Sequence, residues 1–126
     1  MSVPAQISKI KYIESTSFED RIKRSNSLLL KYPDKTPVIL EKSVKDKYLP
    51  KMDKTKLLVA HEMTVSNVIQ LLKTNLKINE HTSIYIMVSN KNIMVSGSQT
   101  ISSIYKDYKN ADGFLYLEYC TENVFG

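Results

Sequence analysis

The chain has 126 residues, 42% of them hydrophobic, and a formal net charge of +5, the size of one domain with its own buried core. Its apolar runs, such as residues 38–40 and 84–88, fall far short of the roughly 20 residues that span a bilayer. The lone cysteine, Cys120, excludes an internal disulfide, and the opening MSVPAQISKIKY lacks the apolar centre of a secretory signal, so a cytoplasmic protein is expected. Residues 1–63 hold 13 Lys/Arg against 8 Asp/Glu, and residues 64–126 hold 5 against 5. This asymmetry points to an acidic partner, an anionic membrane surface or nucleic acid, with a solvated lysine-rich face as the plain alternative.

Ile7, Ile10 and Ile13, spaced by three, predict a short amphipathic helix or a frayed arm over residues 1–16. Ser17 with Asp20 three residues on approximates a capping box, so a helix begins near Phe18. Its apolar stripe recurs at Phe18, Ile22, Leu28, Leu29 and Tyr32, and the helix ends at about Lys31 because Pro33 forces Tyr32 out of helical geometry. The runs at residues 36–42 and 56–59 read as strands, and the lysine-rich connection between them as an exposed loop.

Thr64 caps a second helix, in which Val65, Val68, Ile69, Leu72 and Leu76 keep helical spacing over three turns. A strand at residues 84–88, a short helix carrying Ile101, Ile104, Tyr105 and Tyr108, and a last strand at 114–119 complete the order. The expected class is α+β: a ubiquitin-like β-grasp with a four-stranded mixed sheet, a crossover helix and an N-terminal helical extension. The domain spans residues 17–121, and residues 122–126 form a tail.

Catalytic chemistry has no foothold in the residues. His61 and His81 are twenty apart with no Cys or carboxylate at metal-ligand spacing, and Gly97, Gly113 and Gly126 build no phosphate-cradling loop. Cys120 has no His beside it to activate the thiol, and a small buried hydrophobe is the favoured reading. No enzyme activity, metal or cofactor is expected. The tyrosines fall mainly in core patterns, so nucleic-acid binding is not expected either.

At KYPDKTPVILEK, residues 31–42, the sequence resembles the GABARAP and light-chain-three family of autophagy modifiers. The resemblance continues through SFEDR (17–21), DKTKLLV (53–59), MTVSNVIQLLK (63–73), IYKDYKNADGFLYLEY (104–119) and the final ENVFG (122–126). It implies conjugation of the Gly126 carboxylate to phosphatidylethanolamine by ubiquitin-like activating and conjugating enzymes, with a cysteine protease for processing or delipidation. The lipidated form would then reside on autophagosomal membranes. Glycine suits such a tail because it lacks the Cβ that would obstruct a narrow enzyme approach.

The resemblance also implies recruitment of cargo receptors through short aromatic-x-x-aliphatic motifs added as a strand beside residues 56–59. One pocket, for the aromatic anchor, would comprise Leu28, Pro37, Ile39, Lys56, Leu58 and Phe114. The other, for the aliphatic anchor, would comprise Lys35, Leu57, Val59, Met63, Val68 and Leu71. Core packing is an equal reading for Val68 and Leu71. Arg24 stands beside the first pocket where the family often has an acid, Lys35 where arginine is common, and Ala60 where proline is common. An unconjugated peptide-binding adaptor, with Gly126 incidental, is the alternative function.

Overall fold

The computed structural model describes residues 10–89, 91 and 93–122. The chain enters through a single-turn helix, α1 (Lys11–Ser15). Ile10 and Tyr12 are buried there, and the Tyr12 ring meets Phe114 edge-on at 5.4 Å between centroids. The N-terminal segment is therefore a packed helix from Lys11 onward, while Ile7 lies outside the described residues. The second helix, α2 (Phe18–Lys31), opens where Ser17 Oγ accepts the Asp20 N–H at 3.2 Å, satisfying one amide of the unpaired first turn. It closes at Tyr32, whose φ of −130° and ψ of 72° are the departure that a following proline imposes.

The remaining elements are β1 (Lys35–Lys42), β2 (Lys56–Ala60), α3 (Val65–Leu76), β3 (Ile84–Val88), β4 (Ile93–Met94), α4 (Ile101–Tyr108) and β5 (Leu115–Thr121). Among the described residues the sheet has five strands in the order β2-β1-β5-β3-β4, one more than the sequence pattern predicts. The added strand, β4, is two residues long, too short for alternation to register in the sequence. Central β1 and β5 run parallel, pairing Val38 with Leu115 and Leu40 with Leu117, and every other pair is antiparallel. Thr64 and Asn67 exchange both bonds of a capping box at the start of α3, as the sequence leads one to expect of Thr64.

Two hydrophobic layers cover the two faces of the sheet. Val38 and Leu40 of β1, Ile84, Ile86 and Val88 of β3, and Leu115 and Leu117 of β5 pack with Val65, Val68 and Leu72 of α3 and Ile101 and Ile104 of α4. On the opposite face Ile39, Phe114 and Tyr116 pack with Ile10 and Tyr12, while Ile13 and Leu28 close the margin. Residues 36–40 of β1 are buried without alternation because both faces of this central strand are covered.

Two buried carboxylates lock the connections. Asp112, in the α4–β5 turn, receives Arg21 Nε at 2.7 Å and the Tyr116 hydroxyl at 2.5 Å on one oxygen, and the Phe114 N–H at 2.9 Å on the other. Ser25 Oγ donates to the Asp112 carbonyl. The next residue, Gly113, has a φ of +93°, and a Cβ there would fall on Ser25 Oγ, so only glycine fits both the backbone and the packing.

The second carboxylate, Asp46, sits in the β1–β2 connection that composition marks as an exposed loop. That expectation is corrected in part: Lys45, Lys47 and Lys51 are exposed, but Ser43, Asp46 and Leu49 are buried. Asp46 accepts the Tyr48 and Leu49 amides on one oxygen, and the amide and hydroxyl of Thr121 on the other, at 2.7 and 2.8 Å. It fastens the loop to the last residue of β5.

Candidate functional site

Among the described residues β2 is an edge strand of the sheet, paired on one side only, with β1. Its outer backbone groups can accept an extended chain as a further strand. Register fixes which side chains flank that edge. Lys56 pairs with Ile39, and Leu58 with Pro37; the alternate pairs are Leu57 with Val38 and Val59 with Thr36. Successive side chains of a strand point to opposite faces, so the β2 members of the two expected sets, Lys56 and Leu58 of the first and Leu57 and Val59 of the second, lie on opposite sides of the sheet.

On the α1/α2 side, Leu28, Lys56 and Phe114 line a cavity of about 340 Å³ together with Lys23, Arg24 and Ser27. Phe114 and Ile39, each 1% exposed, belong to the packed layer beneath it, and Pro37 is buried beside the half-buried Leu58. Lys23 and Ser27 escape a reading of sequence alone. Their signal is helical spacing: Lys23 and Ser27 differ by four, as do Arg24 and Leu28, so α2 carries all four along one surface. Lys23, Arg24 and Lys56 surround an apolar floor with three cations, and Lys56 Nζ stands 5.4 Å over the Tyr12 ring.

The second set is more dispersed. Leu57 and Met63 are half-buried against the main core, Val59 and Val68 belong to that core at 6% and 4% exposure, and Leu71 is 55% exposed on α3. Lys35 pairs with Ala60 and alternates in phase with Pro37 and Ile39, which places it on the α1/α2 side, away from the other five.

Neither His61 nor Cys120 has the surroundings of a catalytic group. His61 Nε2 donates to the Pro33 carbonyl at 2.9 Å, so in the neutral ring Nδ1 accepts from the Thr36 hydroxyl, also at 2.9 Å. The ring ties the turn before β1 to the end of β2. Cys120 is fully buried on β5; burial, then the charges of Asp46 and Glu118, push its thiol up to about 11. It stays protonated at neutral pH. Gly126 lies outside the described residues, and Thr121 is the last strand position before it.

Residues 20–126 match the model of the family described as "Autophagy protein Atg8 ubiquitin like". The chain belongs to the Atg8 family. It is 38% identical over 96 residues to human microtubule-associated protein 1 light chain 3 gamma, a match covering 76% of this chain and 65% of that protein. It is 37% identical over 110 residues to autophagy-related protein 8h of Arabidopsis thaliana, covering 87% of this chain and 90% of the plant protein. The crystal structure of Trypanosoma brucei ATG8 superimposes with a TM-score of 0.82 at 28% identity, covering 89% of this chain and 94% of the other. The chain thus has the ubiquitin-like Atg8 fold, with helices at its N-terminus. Among the described residues no helix is long and apolar enough to cross a membrane.

Proposed function

We propose that this Atg8-family chain is a conjugated modifier that brings motif-bearing cargo receptors and adaptors to autophagosomal membranes. The observation that carries the recruiting half is the open edge of β2, flanked on the α1/α2 side by the cation-rimmed cavity over Phe114. A peptide added to that edge presents alternate residues to opposite faces of the sheet, so anchors for the two faces must be an odd number of positions apart. A spacing of three, an aromatic followed by an aliphatic residue, meets this condition and spans roughly 10 Å. The aromatic ring enters above Leu28 and Phe114, and the aliphatic side chain reaches Leu57, Met63 and Leu71.

Lys23, Arg24 and Lys56 favour peptides with acidic residues before the aromatic anchor, chiefly through faster encounter. The conjugating half rests on membership of the family and on the ENVFG motif at residues 122–126. In this reading activating and conjugating enzymes join Gly126 to phosphatidylethanolamine, a cysteine protease acts at the same residue, and two acyl chains supply a firm anchor. Titration calorimetry with an acidic aromatic-x-x-aliphatic peptide tests the groove. Lys56→Glu keeps the fold, since Lys56 is exposed, and weakens binding about tenfold, the scale of one reversed rim charge. Equal affinity for both proteins, or binding that ignores replacement of the aromatic anchor by alanine, would remove the groove from the account.

A further inference from the structure

A second concave surface is lined by Tyr12, the ring over which Lys56 of the peptide groove stands at 5.4 Å. It is a cavity of about 630 Å³ between α1 and the β1–β2 connection, and Lys11, Lys42, Lys47 and Lys51 all line it. Among the described residues none of the four has a carboxylate within ion-pair distance. The three acids on its wall do not answer them: Asp46 is taken up by Tyr48, Leu49 and Thr121, Glu41 accepts the Lys11 backbone N–H at 3.3 Å, and Asp53 makes no ion pair among the described residues. Lys42 Nζ donates to the Asp46 carbonyl. The Lys11 amine beside it, then burial and Lys42, hold the Lys51 ammonium below its ordinary value. Cations crowded this closely are relieved by an anion that brings several charges at once.

The surroundings narrow the class of anion. Val44, on the wall of the cavity, is 60% exposed, and Tyr48, next to Lys47, is 72% exposed. Bulky apolar and aromatic side chains beside a basic cluster suit the headgroup region of a bilayer. Asp46 lines the same cavity and holds Thr121, so the basic surface adjoins the end of β5 that leads to the tail.

We propose that this cavity is a binding site for the headgroup of a multiply phosphorylated lipid, with Lys11, Lys42 and Lys51 receiving the phosphates and Val44 and Tyr48 entering the membrane interface. The relation to the tail rests on the proposed conjugation; the headgroup site does not, and it is tested on unconjugated protein. A lipid tethered through residue 126 would bring the cavity against the bilayer and orient the domain.

The experiment is flotation of the unconjugated full chain with phosphatidylcholine vesicles containing phosphatidylinositol bisphosphate, beside phosphatidylserine vesicles of equal total charge. Binding is expected to favour the bisphosphate. The Lys11→Gln/Lys51→Gln protein should bind those vesicles about twentyfold more weakly, since two surface lysines contribute on that order. Lys106→Gln/Lys109→Gln, which removes the same charge from the end of α4, should change binding less than about threefold, because the attraction of a lysine to the membrane falls off within a Debye length of the surface. Matching thermal melts establish that each variant is folded. Equal capture by phosphatidylserine, wild-type binding by the Lys11/Lys51 variant, or binding of free inositol hexakisphosphate without binding of vesicles would overturn the site. Displacement from vesicles by an acidic aromatic-x-x-aliphatic peptide would assign these lysines to the peptide groove and also overturn it.

Discussion

Replacing Asp46 with asparagine keeps the side chain's size and removes the charge that four donors share. Burial opposes ionisation of this carboxyl, but the hydrogen bonds from Leu49, Thr121 and Tyr48 outweigh it and bring its pKa from 3.8 to about 2. A carboxyl whose folded pKa is depressed adds stability above its unfolded pKa and loses it as the pH falls through the folded one. At about 1.36 kcal/mol per pH unit, the fall from 3.8 to about 2 contributes roughly 2 kcal/mol. The assay is urea unfolding of wild type and Asp46→Asn, followed by circular dichroism from neutral pH downward. Wild type should exceed the variant by at least that amount at neutral pH, and the difference should shrink by roughly 2 kcal/mol as the pH falls from above 3.8 to about 2. A difference that stays flat across this window would refute the assignment of these bonds to a buried carboxylate.

Two further outcomes follow from the interior. Arg21→Met leaves Asp112 buried without its cation and should lower unfolding stability by about 3–5 kcal/mol, measured as a shift of the denaturation midpoint; a loss below about 1 kcal/mol would mean that the pair behaves as an exposed one. Cys120 should resist alkylation by iodoacetamide at neutral pH in the native protein and react at the rate of a free thiol once urea unfolds the sheet. Rapid modification of native protein would contradict its burial.

Local signals were legible where short-range chemistry decides the structure. Ser17 and Asp20, Pro33, Thr64 and the stripe from Val65 to Leu76 set helix ends through contacts within four residues. The apolar run at residues 84–88 likewise returns as a strand, with Ile84, Ile86 and Val88 buried. The carboxylates were not legible, because their partners are distant: Asp46 meets Thr121 across 75 positions, and Arg21 meets Asp112 across 91. Composition assigned Asp46 and Leu49 to a solvated loop, since lysines dominate that stretch, but tertiary hydrogen bonds and packing bury both. β4 gave no signal at two residues. For the groove, resemblance supplied Leu28, Lys56 and Phe114, which line one cavity. The strand register moved Lys35 to the other side, and only the folded helix shows Lys23 and Ser27 at the rim.

The proposal that this Atg8-family chain works as a lipid-carried modifier stands most directly on the fate of Gly126. The deciding measurement is the intact mass of the protein recovered from cell membranes during induced autophagy, beside a Gly126→Ala form. A gain the size of phosphatidylethanolamine, absent from the variant, is the expected result. Membrane-associated protein of unmodified mass, equal in amount for the two forms, would contradict conjugation and leave an unconjugated peptide-binding adaptor.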